Sequence, residues 1–388
     1  MKIPFGAYFY PISIKSKERI RKAAKFGYKL INESEIVKKA LPLYPGHAQP
    51  NVYCLGDSKT TYWDDTDIRA MDKQINLALE YNLNFFIFNT YIGTKSGKII
   101  RELVEVLNCF VSLQSSKSIK FGLAFVLESP RAVLPVPRIA DFEEPNRGYD
   151  INKQTARAVI DDCVKKYWCK KNYLYLKGKP YLSIHTSRLD SSITSPWSRS
   201  FKAFIEYLYV YSQKKYKLEP YVVGIIRKKE DGILMEHSGV RALTGYAFLP
   251  DFDKGASPIQ NYDTLLQRRE GEWKEIAYKS SIPFIPPAVI GWDGSPRGEQ
   301  GFKLKEVERI YPYVPIIEGN TPLSFQQMLS DSLSHIKSNI PESERYCLIC
   351  AWNEISEGCA LLPRLKQNQV DFGYLEVLKE VAKTLDIG

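Results

Sequence analysis

Histidine is scarce in this chain, with 4 in 388 residues, and none stands in a His-x-His or His-Glu-x-x-His spacing. A zinc hydrolase needs clustered imidazoles, so no metal centre is expected. Glycine-rich phosphate turns are missing too. The first apolar run leads into FYPISIK, and no Gly-x-x-x-x-Gly-Lys occurs, which removes the dinucleotide fingerprint and the P-loop. Without a Gly-x-Ser-x-Gly elbow, the usual serine hydrolase is excluded as well. No cofactor is expected.

Cysteines are few and odd in number, 7 in all, without the dense spacing of a disulfide-stapled secreted domain. A reducing compartment fits best. Cys347 and Cys350 form a Cys-x-x-Cys, but in a strand a separation of three sends the two thiols to opposite faces. No stretch reaches the roughly 18 apolar residues of a membrane span. The beginning, MKIPFGAYFYP, lacks the apolar core of a signal peptide, so a cytoplasmic location is expected.

What is present begins with charge. A net charge of +10 could serve nucleic acid, anionic glycans or a membrane surface, yet the Lys and Arg are scattered. The densest clusters, Lys165-Lys166 with Lys170-Lys171 and Arg227-Lys228-Lys229, read as solvated faces. Nucleic acid is therefore not an expected partner.

Short apolar runs alternate with amphipathic stretches from end to end, the pattern of a parallel α/β fold. Strands are expected at 5–10, 84–89, 121–127, 181–186, 221–226, 242–248, 286–292 and 346–352. Helical patterns fill most of the gaps, at 68–81, 99–113, 155–168, 199–214, 262–278 and 325–336, with a closing helix near 374–385. Together they predict a single (β/α)8 TIM barrel over residues 1–388. Two connections are too long to be ordinary: 11–67 and 129–150, expected as the long β1 and β3 loops laid over the C-terminal mouth.

In such a barrel the strand C-termini converge on one mouth. Residues expected there are Tyr8 and Tyr10, Asn89 and Tyr91, Glu128, His185, Asp251 and Asp253, Trp292, Asp293 and Arg297, and finally Trp352, Asn353, Glu354 and Glu357. The last group is the most informative. An apolar run, YCLICAW, ends in two carboxylates three positions apart, and carboxylates are seldom placed against a core without a purpose. Aromatic planes, amides and paired acids suit a carbohydrate, whose rings stack and whose hydroxyls need both donors and acceptors.

Several motifs resemble the glycoside hydrolase family 99-like domain, also called the WbsX family, of bacterial polysaccharide gene clusters. PGHAQP, with His47 and Gln49, is similar to its Pro-Gly-His-x-Gln-Pro loop; GWDGSPR and AWNEISEG resemble its seventh- and eighth-strand signatures. The segments DIRAMDKQINLALEYNLNFFIFNTY and YLKGKPYLSIH also match, so the likeness spans nearly the whole chain. It implies a barrel acting on glycosidic bonds, with Glu357 as general acid/base. Glu354 would take a proton from the sugar 2-hydroxyl, giving a 1,2-anhydro intermediate rather than the usual two-carboxylate scheme. Ile355 stands where an aromatic is common, Leu362 and Arg364 flank Pro363 in place of acids, and Leu127 replaces an asparagine. Substrate identity therefore does not transfer.

The expected function is cleavage of a glycosidic bond in a bacterial polysaccharide or lipid-linked glycan, the latter with peripheral membrane contact. A glycosyltransferase of surface-polysaccharide biosynthesis is the alternative, although Asp251-x-Asp253 follows a barrel strand and is not a nucleotide-sugar metal motif in that setting. A non-catalytic glycan-binding barrel is the third reading; retention of both glutamates counts against it.

Overall fold

The computed structural model describes residues 3–11, 24, 33–130, 134–136, 147–186, 192–253, 255–307 and 310–386. Strand and helix alternate: β1 (Phe5–Phe9), β2 (Phe85–Lys95), β3 (Lys120–Val126), β4 (Lys179–His185), β5 (Tyr221–Ile226) and β6 (Ala242–Gly245). They are followed by β7, in two pieces (Phe284–Ile285 and Ala288–Val289), and β8 (Cys347–Cys350). The helices are α1 (Glu33–Lys38), α2 (Ile68–Glu80), α3 (Val104–Ser112), α4 (Lys153–Asp162), α5 (Pro196–Tyr216), α6 (Asp231–His237), α7 (Tyr262–Lys279), α8 (Pro322–Asn339) and α9 (Gly373–Asp386).

All pairings among these strands are parallel, in the order β6-β5-β4-β3-β2-β1-β8. β7 then closes the ring, because Phe284 and Ile285 pair with Leu243 and Thr244 of β6 while Ala288 and Val289 pair with Ile349 and Cys350 of β8. The fold is the expected (β/α)8 barrel. β1 and β5 are buried at every position, as strands enclosed by a core on one face and helices on the other must be.

Helix starts follow local chemistry. Asp67 caps α2 by accepting from the backbone N–H groups of Arg69 and Ala70, and Ser195 and Thr321 cap α5 and α8 just ahead of Pro196 and Pro322. α2 then lays Met71, Ile75 and Ala78 against the sheet. α4 runs on as a π-helix over Cys163–Trp168.

Two expectations change. The helix expected over 99–113 begins only at Val104, because β2 continues past the barrel into an antiparallel hairpin with Lys98–Glu102. Ser96 and Gly97, at φ 50° and 74°, make its turn. The seventh strand is split, since Pro286 and Pro287 have no N–H to give a ladder. Of the long 11–67 connection, residues 12–23 and 25–32 lie outside the described residues, as do 131–133 and 137–146 of the 129–150 loop.

Candidate active site

Glu354 and Glu357 stand where β8 reaches the mouth, on a single 3-10 turn over Ile355–Glu357 closed by Gly358 at φ 66°. That turn is held from β7's loop: Asp293 N–H donates to the Glu357 carbonyl at 2.7 Å. Both acids are almost fully buried, at 3% and 6% exposure, so each must be partnered.

Arg297, on the turn Ser295–Arg297 after β7, is the main partner. Its Nη2 donates to Glu354 Oε2 at 2.8 Å, its Nη1 to Glu357 Oε1, and its Nε to Ser356 Oγ at 2.6 Å. Its guanidinium also lies 5.3 Å from the Tyr10 ring centre. Two phenols complete the shell. Tyr246 donates to Glu354 Oε1 at 2.6 Å, and Tyr311 to Glu357 Oε1 at 3.0 Å. Asn89 Nδ2 in turn donates to the Tyr246 oxygen at 3.1 Å. A third carboxylate, Glu33 of α1, comes within 4.0 Å of Arg297 and is 2% exposed, with no hydrogen bond to either oxygen among the described residues.

Burial pushes the Glu354 carboxyl up to about 8, and the negative charge of Glu357 adds to this; Arg297 and Tyr246 act against it. Burial opposes the charge on Arg297, yet Glu357, Tyr311, Glu33 and Glu354 raise its pKa well above the ordinary value. The acid pair therefore keeps one proton near neutrality while the guanidinium stays charged. The resemblance implies that Glu357 carries the proton; in the resting site burial and the charge of Glu357 favour it on Glu354.

The acids open onto a cavity of about 440 Å³, bordered also by Tyr10, Asn89, Tyr91, Glu128, His185, Trp292 and Arg297. His185, half-buried in the wall, is pushed down to about 4 by desolvation, with Arg227 and Arg147 adding to this and Glu128 opposing it, so it is neutral at pH 7.

The other expected residues stand behind this lining. Tyr8 is fully buried, donates to the Gly245 carbonyl at 2.9 Å and packs 4.5 Å from the Tyr246 ring. Trp352, expected as a plane for a sugar ring, is fully buried against Phe86, and its indole N–H donates to Gln74 of α2. It faces the helix layer. Asn353 holds the end of β1 through both backbone groups of Tyr10, at 2.8 Å each.

His47 and Gln49 both donate to Asp293 Oδ2, at 2.9 and 2.7 Å. Leu43 N–H donates to His47 Nδ1, which leaves the proton on Nε2 to face the carboxylate. Those bonds, with one from Ser295 N–H, hold the Asp293 carboxyl below its ordinary value despite burial. His47, Trp292 and Asp293 border a second cavity of about 380 Å³. Asp251 pairs with Arg268 and accepts from Asp253 N–H, a turn outside the main cavity.

Sequence reasoning missed Tyr246, Tyr311, Arg147, Arg227 and Phe252, which also border the main cavity. Tyr246 had a signal, as it directly follows β6. Tyr311 had none: the fold alone brings that part of β7's loop to the acids.

Residues 146–378 match the family described as glycosyltransferase WbsX. The chain belongs to the WbsX family. Its WbsX match covers the Arg297 turn and both acids. Over 338 residues it is 24% identical to WxcX, an uncharacterised protein of Xanthomonas campestris pv. campestris strain B100, covering 84% of this chain and 43% of that protein. The chain thus spans less than half the length of this relative. Among solved structures, the GH99 endo-alpha-mannosidase from Bacteroides thetaiotaomicron superposes with a TM-score of 0.59 at 13% identity, over 99% of this chain and 98% of the other. A glycoside hydrolase-like protein gives 0.60 at 14%, over 98% and 93%. These likenesses are of fold.

Proposed function

We propose that this WbsX-family chain breaks a glycosidic bond, with Glu354 and Glu357 as its acid–base pair. One observation carries the reading: two buried carboxylates, bridged by one guanidinium, open onto an aromatic-rimmed cavity at the C-terminal mouth of a barrel. One acid can then protonate a leaving oxygen while the other takes a proton. Arg297 keeps the ionised partner from being repelled out of the site. The order implied by the resemblance has Glu357 donating and Glu354 acting on the 2-hydroxyl. It needs the proton to cross from Glu354 to Glu357 as substrate displaces the Arg297 contact. The likeness to the endo-mannosidase fold favours cleavage; the family's description favours glycosyl transfer as the second reading.

The test uses glycans with good and poor leaving groups. Replacing the donor acid by glutamine costs roughly 10²- to 10⁴-fold on poor leaving groups and much less on activated aryl glycosides; replacing the base slows both alike. Glu357→Gln should give the first pattern and Glu354→Gln the second. A reversal of patterns puts the donor on Glu354, whose carboxyl burial pushes up. Turnover near wild type in both variants, or consumption of a nucleotide-sugar without release of reducing ends, defeats the cleavage reading.

A further inference from the structure

The loop after β6 meets the cavity twice. Tyr246 at its start bonds Glu354, and Phe252 further along borders the same space. Phe252 is 49% exposed, whereas the two acids are 3% and 6% exposed, so its ring stands nearer the opening than they do. Trp292, on the wall beside it, meets that ring edge to face, with centres 5.4 Å apart at 87°.

The ring is held in place from behind. Buried Gln260 exchanges two bonds with Asp251, accepting from its N–H at 2.9 Å and donating to its carbonyl at 2.8 Å. Asp251 also pairs with Arg268 of α7 and accepts from Asp253 N–H at 3.0 Å. The Asp-x-Asp pair lies outside the cavity and clamps the residue between its two acids. Lone exposed aromatics are common on protein surfaces, but this one is fixed at the rim of a cavity whose acids lie deeper. A phenyl ring has no polar atom to offer, so its partner must present an apolar face. A pyranose does so: its C–H groups can cover the ring while its hydroxyls at the edge stay hydrated or bonded.

We propose that Phe252 is a stacking platform for a second sugar of the glycan, on the outward side of the sugar whose bond meets Glu354 and Glu357, so that the site selects a chain over a single sugar. This rests on the cavity being a glycan site, as proposed above.

An array of bacterial surface oligosaccharides, probed with fluorescently labelled wild type, picks out the one held best. Calorimetry then titrates that oligosaccharide, and the methyl glycoside of its single sugar, into wild type and variants. Phe252→Ala should weaken the oligosaccharide roughly 10-fold, the loss of one buried aromatic face, and weaken the methyl glycoside much less. Phe252→Tyr keeps the plane and should bind as wild type does, with both variants melting near wild type. In turnover the alanine substitution should raise KM with kcat little changed, because a contact remote from the bond acts on ground and transition states alike. No glycan retained on the array, equal oligosaccharide affinity in wild type and Phe252→Ala, equal losses on both ligands, or Phe252→Tyr as weak as Phe252→Ala overturns the proposal. A glycan held but never cleaved defeats only the cleavage reading. Cleavage with affinity indifferent to Phe252→Ala defeats only this one.

Discussion

Glu354 is where one side chain's environment sets a measurable property of the protein. Its folded pKa of about 8 lies above the ordinary 4.5, so the folded chain holds a proton that the unfolded chain releases. The sign follows: the contribution to stability is whole below about pH 4.5, falls as pH rises toward 8 and is lost above it. Glu354→Gln, which mimics the protonated form, removes this dependence. Urea midpoints should therefore move in the variant's favour between pH 5 and pH 8, and parallel curves for the two proteins would show that Glu354 is ionised at rest. The upward push on Glu354 was not legible in the sequence, because it depends on burial and on how Glu357, Arg297 and Tyr246 are placed around it. The sequence reading set a role for Trp352 from its neighbours alone. Just beyond β8 the chain turns that ring toward Gln74 and the helices.

Among elements, the turn after β8 has the least tolerance. At φ 66°, Gly358 occupies a backbone region costly to other residues, and a Cβ there would lie 3.1 Å from the Asp293 nitrogen that bonds Glu357. Gly358→Ala should cost about 1–2 kcal/mol of stability and lower activity by displacing Glu357. Gly271, in the middle of α7 with nothing within 4 Å of the place a Cβ would take, is the control: Gly271→Ala should stabilise by about 0.5–1 kcal/mol with activity unchanged. Thermal melts and assays on the two variants check the contrast, and equal effects at both sites would refute the account of the turn. Continuous apolar runs such as YVVGII made β5 readable, because a strand buried on both faces has little choice of composition. The hairpin after β2 was missed although Ser96-Gly97 is a turn signal, since the residues beyond it also fit a helical period.

For the whole molecule, the (β/α)8 barrel was legible from alternation alone, while the way it closes was not. Six residues of β2 pair with six of β3, from Phe85↔Lys120 to Thr90↔Phe125, but β7 offers two pairs to each neighbour on either side of its prolines. The circle is thus laced unevenly. Its thinnest seam runs along β7, and amide exchange should report it: backbone hydrogens at 288–290 should exchange before those of β2 and β3. Earlier loss of the β2–β3 protons would place the weak line elsewhere. Arg297 hangs from one lip of that seam and the two glutamates from the other, so the ion pairs that arm the site also act as a clasp on the barrel. A ligand that draws Arg297 away from the acids would loosen the clasp as it loads the site, tying occupancy to how readily the wall parts.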